Sequence, residues 1–145
     1  ELRETIYHNR FESETEGSLV RKIETYTQEF SQLNQVVLEV DAQKQVDMLS
    51  PTHKIIIYRM VCEAVHNAVK HGNATHIKVC IALEDTVVNV MVSDNGVGFV
   101  EKEKTHMGGM GLDNMKRMAS FLMGKFWIDQ RKDGVSLHLK LPRSI

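Results

Sequence analysis

The chain has 145 residues, with 18 Lys and Arg against 19 Asp and Glu, so its formal net charge is -1. This length corresponds to one ordinary domain, and the balanced charge argues against a nucleic-acid binder, which usually carries a basic excess. With 42% hydrophobic and 26% charged residues the chain is neither disordered nor membrane-embedded, and two cysteines without a C-x-x-C motif exclude a secreted disulfide framework.

The first residues have helical spacing, with Leu2 and Ile6 on one side, and the chain begins with Glu1 rather than Met. We therefore expect residues 1–11 to be the end of a helix from a longer protein. Residues 12–17 are polar and end in glycine, which is typical of a linker. Residues 18–145 are then expected to form the domain.

From Ser18 onward the hydrophobic spacing predicts alternating helices and strands. Ser18 is a suitable cap for a first helix, and Ser50 followed by Pro51 is a good start for a second, which should stop at Gly72. The remaining predictions are a polar connection at 43–50, a glycine-rich loop at 94–111, a helix at 112–123, and strands at 35–42, 77–83, 87–92, 125–130 and 135–141. Together they predict a two-layer α/β sandwich, with a mixed, mostly antiparallel sheet of about five strands and three main helices on one face.

The helix after Pro51 has an unusual polar face. At about 100° per residue, its apolar side chains lie on one side and four different polar side chains lie together on the other. These four are Glu63, Asn67, Lys70 and His71. Such a face could simply be solvated, but Asn is unfavourable in the middle of a helix. The set also suits phosphate binding assisted by Mg²⁺, because Mg²⁺ prefers oxygen ligands.

Two glycine-containing segments follow. Asp94-Asn95-Gly96-Val97-Gly98 comes directly after a strand, and it could be a type I′ hairpin turn at Asn95-Gly96 or a close-approach surface for a flat ligand. The run from Gly108 to Gly111 precedes a helix, where free backbone N–H groups favour phosphate oxygens. No P-loop motif is present, and the run is not a G-x-G-x-x-G.

Taken together, these motifs resemble those of the GHKL ATPases. Glu63-x-x-x-Asn67 with Lys70-His71 is similar to their N box, Asp94-x-Gly96-x-Gly98 to their G1 box, and Gly109-x-Gly111-Leu112 to their G2 box. The segment 58–71 is most similar to sensor histidine kinases of the nitrate-sensor and degradation-sensor type. The resemblance implies the Bergerat fold, and it implies that residues 1–6 end a dimerisation helix.

The resemblance also implies a role for each matching residue. Asp94 would bind the adenine amine, in a pocket shaped by Gly96 and Gly98. Asn67 would ligate Mg²⁺, and Glu63 would act through a metal-bound water or at the reacting centre. Lys70 and His71 would contact phosphate or ribose. Gly109 and Gly111 would hold a lid against the phosphates, and Met110 and Leu112 would also bind the nucleotide.

The implied reaction is transfer of the ATP γ-phosphoryl group to a histidine of the dimerisation domain, for relay to an aspartate of a response regulator receiver domain. The acceptor histidine is not in this chain, and the parent protein is expected to be a homodimer. We expect a cytoplasmic domain and leave open whether the parent is anchored in the inner membrane. An anti-sigma-factor serine kinase and an inactive nucleotide-binding module of the same fold remain alternatives.

Four positions depart from the family pattern. Cys62 stands where Gln is usual, and Phe11 follows Arg10 in place of the usual Pro. Val135 stands where the group usually has Thr, which removes a polar contact near the adenine pocket, and Met118 stands where Arg is usual. Ser136 should point to the opposite face of its strand and is a poor substitute for that Thr. Trp127 is interpreted as sheet packing, and Cys62 and Cys80 as buried thiols.

Overall fold

The computed structural model describes residues 18–97 and 111–144. The predicted helix end at 1–11 and the linker at 12–17 lie outside the described residues, and so do Gly98, Gly109 and Met110. In chain order the elements are α1 (Leu19–Asn34), β1 (Val37–Ala42), a 3₁₀ helix (Lys44–Met48), α2 (Pro51–Lys70), β2 (His76–Leu83), β3 (Val87–Asp94), α3 (Asp113–Phe121), β4 (Lys125–Arg131) and β5 (Gly134–Pro142). Among these, no helix is long and apolar enough to cross a membrane.

The five strands form one mixed sheet in the order β1-β2-β3-β5-β4. β1 pairs with β2 in parallel, and the other three pairings are antiparallel. One face of the sheet is buried against the helices, as the alternation in β3 and β5 indicates. The predicted α/β sandwich is therefore confirmed.

The predicted polar connection at 43–50 is only partly right. It contains the 3₁₀ helix Lys44–Met48, and Val46 and Leu49 are buried in the core. Asp47 of this helix accepts hydrogen bonds from the Ser18 hydroxyl and the Leu19 N–H at the start of α1. The connection therefore contributes both to the core and to the cap of a helix, which the three apolar residues in this mostly polar stretch did not reveal.

α2 is the central helix, and its first turn is tied to the end of the sheet. Ser50 caps it by accepting from the His53 N–H at 3.1 Å, and Pro51 occupies the first helical position. The His53 ring is fully buried, with Nδ1 2.7 Å from the Ser50 hydroxyl and Nε2 2.6 Å from the Pro142 carbonyl oxygen. Because a carbonyl only accepts, Nε2 carries the proton in this bond.

The other end of α2 forms the floor of the candidate site. The helix ends at Lys70, and His71 is its C-cap residue. The residue that takes a left-handed backbone just after this helix is Asn73, with φ 51°, rather than the predicted stop Gly72. Gly72 is required for space instead, because a Cβ there would lie 2.8 Å from the Ala68 carbonyl oxygen.

Candidate nucleotide site

The polar face of α2 is buried at two of its four residues, Glu63 and Asn67. Glu63 is 8% exposed and Asn67 is 2% exposed, so the interpretation of this part of the face as solvated is wrong. Lys70, in the last turn, has an exposed side chain, and His71 is half-buried. Burial therefore decreases along this face, from a buried acid and a buried amide to an exposed cation at its edge.

Asn67 is the least satisfied buried group in this region. Its Oδ1 and Nδ2 atoms are both inaccessible to solvent and have no hydrogen-bond partner within residues 18–97 and 111–144. Leaving such an amide unpaired costs about 1–3 kcal/mol, so a polar group held this way needs a ligand to explain it. A free carbonyl oxygen beside a carboxylate fits the oxygen donors that Mg²⁺ takes.

Gly111 lies directly over these two side chains. A Cβ on Gly111 would be 3.1 Å from Glu63 Oε1 and 3.5 Å from Asn67 Nδ2. Gly111 and Leu112 form a widened helical turn that leads into α3, and Leu112, the N-cap residue, is buried and offers no side-chain hydrogen bond to the helix start. Within the described residues, the side chain of Leu112 does not cap the start of α3.

Asp94 ends β3 on the core-facing side of the sheet, because its partners in the ladder are the buried Ile77 and Val135. Its Oδ1 accepts a hydrogen bond of 2.7 Å from the Gly96 N–H. Burial raises the pKa of the Asp94 carboxyl above that of an ordinary aspartate, and the Gly96 hydrogen bond partly opposes this rise. The remaining carboxylate lone pairs can accept from a ligand amine.

The segment after Asp94 does not turn back as a hairpin, so that alternative is wrong. Instead the Val97 N–H donates to the Gly72 carbonyl oxygen at 2.9 Å, which joins the loop to the end of α2. A Cβ on Gly96 would be 2.6 Å from that same oxygen. Only glycine allows this approach, which brings the G1-like segment against the N-box-like helix.

Asn95 holds the same loop from the other side, a function that the sequence interpretation missed. Its Oδ1 accepts from the Thr75 N–H at 2.9 Å and from the His76 N–H at 3.0 Å, and its Nδ2 donates to the Thr75 hydroxyl at 2.9 Å. The Asn95 N–H donates in turn to the His76 carbonyl oxygen. The only signal in the sequence was an Asn in a turn, where Asn commonly bonds to the backbone.

Gly134 is the second residue that sequence reasoning missed. A Cβ at this position would collide with the Asp94 carbonyl oxygen and lie 3.3 Å from the Asn95 Cα atom. The Asp133-Gly134 turn was interpreted only as a hairpin connection. The structure shows that it also supports the backbone of Asp94 from the neighbouring strand.

The structure thus brings together most of the predicted site residues that it describes. Glu63, Asn67 and Gly111 form one cluster, and Asp94 and Gly96 form a second one. The two clusters are joined through Gly72 at the end of α2. Among the described residues no group of three or more His, Cys, Asp or Glu side chains could hold a metal. A divalent cation at Glu63 and Asn67 would therefore share its coordination with water and phosphate oxygens, as Mg²⁺ commonly does.

Comparison with known proteins identifies the family of this chain. The family model described as histidine kinase-, DNA gyrase B-, and HSP90-like ATPase matches residues 52–145. The histidine-protein kinase/phosphatase DegS of Brevibacillus brevis is 28% identical over 143 residues, covering 98% of this chain and 37% of that protein. The nitrate/nitrite sensor protein NarX of Escherichia coli is 30% identical over 135 residues, covering 92% of this chain and 22% of that protein. The chain therefore spans well under half of the relatives it matches.

Solved structures show the same fold. The catalytic domain of histidine kinase ThkA superposes with a TM-score of 0.67 at 20% identity, covering 87% of this chain and 92% of that one. The same kinase in complex with the response regulator protein TrrA superposes with a TM-score of 0.65 at 18% identity, covering 87% of this chain and 40% of that one. At this level of identity the likeness concerns the fold alone.

Proposed function

Because the chain belongs to the histidine kinase-, DNA gyrase B- and HSP90-like ATPase family, we propose that it is the ATP-binding catalytic domain of a sensor histidine kinase. DegS of Brevibacillus brevis, whose match covers 98% of this chain, is named as a histidine-protein kinase/phosphatase, which favours this function over an anti-sigma-factor serine kinase. The observation that carries the proposal is the buried Asn67 amide, which has no hydrogen-bond partner among the described residues and lies beneath Gly111.

In this proposal the adenine ring enters between Asp94 and the end of α2. The ionised Asp94 carboxylate accepts a hydrogen bond from the exocyclic amine, which selects adenine over guanine because guanine carries an oxygen at that position. Gly96 lets the loop after Asp94 pack against the end of α2, since a Cβ there would lie 2.6 Å from the Gly72 carbonyl oxygen, and this packing is proposed to shape the adenine pocket. Gly98, outside the described residues, is proposed to extend this surface.

The phosphates then lie along the other cluster. Asn67 and Glu63 are proposed to hold Mg²⁺, Asn67 directly and Glu63 through a bound water, and the ion would neutralise charge on the phosphate oxygens. Lys70 and His71 at the rim supply further contacts to phosphate or ribose. The uncapped start of α3, with Gly111 and Leu112, offers N–H groups to the phosphates, together with Gly109 and Met110 outside the described residues.

The proposed reaction is transfer of the γ-phosphoryl group to a histidine imidazole of the parent's dimerisation domain. A neutral imidazole is already a nucleophile, so the domain contributes mainly position and charge neutralisation. Glu63 therefore need not remove a proton from the acceptor. A response regulator aspartate is proposed as the next acceptor, with support from the ThkA–TrrA complex among the structural neighbours.

The proposal is tested by joining this domain to the helices that precede it in its parent and adding ATP labelled at the γ-phosphate. We expect label on one histidine of those helices, in a form that is stable to alkali and labile to acid. Label on a serine would favour the anti-sigma-factor kinase alternative. Binding of Mg²⁺-ATP without any transfer would favour the inactive nucleotide-binding module.

A matched variant tests the metal assignment within this function. Asn67→Ala should abolish Mg²⁺-dependent transfer while part of the nucleotide affinity survives, because the Asp94 contacts remain. The exposed Asn34→Ala, at the end of α1, is the control and should transfer at the wild-type rate. Full transfer by the Asn67 variant would show that the metal assignment is wrong.

A further inference from the structure

A second concave region lies on the outer face of the sheet, away from the nucleotide site. It is a cavity of about 350 Å³ between the α3–β4 turn, the start of β3 and the end of β5. Its lining includes Val87, Met123, Trp127 and Pro142. Asp94 stands at the opposite end of β3, about 23 Å along the strand, and faces the helices. The cavity is therefore separate from the adenine pocket.

Exposed apolar side chains are concentrated at this corner. Met123 is 77% exposed and Trp127 40%, and both line the cavity; Phe121, which is not in the lining but lies two residues before Met123 in the chain, is 75% exposed. Single exposed apolar residues are ordinary, but a concentration of them around a concave site is typical of a binding surface. The cavity volume also lies in the range of ligand and side-chain pockets.

Met123 is held in this position by a strained backbone. Its φ is 59°, in the left-handed region that glycine and asparagine adopt far more readily than methionine, at a cost of about 1 kcal/mol. The next residue, Gly124, has no room for a Cβ, because that atom would lie against the Lys140 carbonyl oxygen and the Leu141 side chain. The tight turn therefore keeps a long, flexible apolar side chain in solvent at the mouth of the cavity.

Trp127, in contrast, lines the cavity with a side chain that is held in one orientation. Its ring stacks on the His138 ring with a centroid distance of 4.9 Å and an interplanar angle of 1°. His138 Nε2 is in turn 3.2 Å from Asp129 Oδ2. A tryptophan that is fixed before binding loses little conformational freedom on binding, and tryptophan is enriched among the residues that dominate protein interfaces.

The mouth of the cavity carries an excess of positive charge. Lys125 and Lys140 are direct partners in the β4–β5 ladder, and both are exposed. Like charges directly opposite each other destabilise a sheet. Within the described part of the chain neither lysine forms an ion pair, so a bound carboxylate would relieve their repulsion.

We propose that this cavity is a docking site for an acidic, apolar segment of another protein. An apolar side chain of that segment enters between Met123 and Trp127, and flanking carboxylates pair with Lys125 and Lys140. The concave shape and the fixed Trp127 ring favour insertion of a side chain over adsorption to a flat lipid surface. The lining of the cavity contains none of the residues proposed to bind nucleotide, so the site can be tested with and without ATP.

The probe is a synthetic peptide in which one phenylalanine and one leucine stand between two pairs of glutamates. It is titrated into the isotope-labelled 145-residue chain while amide and indole N–H resonances are followed by NMR. We expect saturable shifts of the Trp127 indole and the Gly124 amide, with a dissociation constant at least about tenfold lower than for a peptide with glutamine in place of glutamate. Equal binding of the two peptides, or no shift at these residues, would overturn the proposal.

Variants separate this site from general charge attraction. Lys125→Glu combined with Lys140→Glu should weaken peptide binding at least about tenfold, whereas Lys132→Glu in the exposed β4–β5 turn should leave it unchanged. Met123→Gly should weaken binding without lowering the melting temperature, because it removes the apolar contact together with the backbone strain. Equal loss in the Lys132 variant, or the same resonance shifts with vesicles of phosphatidylcholine and phosphatidylserine in equal parts, would contradict a peptide site.

Discussion

Val135 lies directly opposite Asp94 on the neighbouring antiparallel strand, with its side chain buried on the same face of the sheet. Side chains in such a pair have Cβ atoms about 5 Å apart. Ser136 pairs with Ser93 on the outer face, as its position in the strand predicted. The residue at position 135 is thus one of the two direct cross-strand neighbours of the proposed adenine ligand, and it carries no polar group.

This relationship predicts that Val135→Thr improves nucleotide binding. A hydroxyl beside Asp94 can share in the contact to adenine, and one such hydrogen bond is worth about 1 kcal/mol, or roughly fivefold in affinity. Without nucleotide the same buried hydroxyl should lower the free energy of unfolding by about 1 kcal/mol. Isothermal titration calorimetry with ATP and urea denaturation measure the two effects. Ser136→Thr is the control, and an equal gain in affinity there would contradict the argument.

Asp94→Asn should weaken ATP binding at least about tenfold, because the amide would present a donor to the adenine amine. In the wild-type protein we also expect ATP affinity to fall as the pH is lowered through the raised pKa of Asp94, since the protonated carboxyl is a poorer acceptor. Titrations at several pH values measure this, and the variant should lack that part of the pH dependence. Unchanged affinity in the variant would remove Asp94 from the adenine site.

The same raised pKa affects stability with the opposite sign. The folded state holds the Asp94 proton to a higher pH than the unfolded state does, so the stability that Asp94 contributes at low pH is lost as the pH rises through its folded pKa. Asp94→Asn removes this loss and retains an oxygen for the Gly96 N–H. Relative to wild type, the variant should therefore gain stability as the pH rises from the ordinary aspartate pKa through the raised folded pKa of Asp94, measured by urea denaturation. A constant difference would contradict the burial effect.

Asn67→Leu should separate stability from function. The substitution replaces a buried amide lacking a described partner by an apolar side chain of similar size, so we expect the free energy of unfolding to rise by about 1 kcal/mol. Mg²⁺-dependent ATP binding should be lost at the same time. Asn67→Ala is the matched control, because it also removes the amide but leaves a cavity and should gain less. A loss of stability in the Leu variant would indicate that the amide is satisfied in the folded protein.

Asn95 should act as a positioning residue for the loop that follows Asp94. Asn95→Asp keeps an oxygen that accepts from the Thr75 and His76 N–H groups, whereas Asn95→Ala removes both bonds. We expect Ala to raise the dissociation constant for ATP about tenfold and Asp to restore most of the affinity. The maximal transfer rate at saturating ATP should change little in either variant. Similar ATP affinities for the two variants would show that these hydrogen bonds do not place the loop.

The layers and the strand count could be predicted, and the polar residues of α2 and the segment from Asp94 could be selected as candidates, because each depended on a local pattern. Strict alternation in β3 and β5 and the cap at Ser50-Pro51 are signals of this kind. Contacts between residues far apart in the sequence could not be predicted from local patterns. The approach of Gly96 to Gly72 and the contact of Gly134 with Asp94 depend on which elements meet in space, and a glycine in a turn does not reveal this.

Two residue interpretations also needed the structure. Cys62 is buried as expected, but Cys80 is only half-buried, because it lies on the outer face of β2. Trp127 was interpreted as sheet packing, and it does stack on the sheet, yet 40% of its surface remains exposed. Cys80 and Trp127 lie on strands, where the alternation of side chains predicts two faces of the sheet. The sequence does not show whether the outer face is covered.

α2 is anchored at both ends, by the His53 bond to Pro142 and by the Gly72 bond to Val97. The helix, which is about 30 Å long, is therefore fixed in place, and so is the distance between the cluster of Glu63, Asn67 and Gly111 and the cluster of Asp94 and Gly96. A shift of this helix along its axis, made to accept another base or a different number of phosphates, would break one of these two hydrogen bonds. Altered nucleotide preference is better sought in side chains at the pocket walls, with Val135 as the first position to vary.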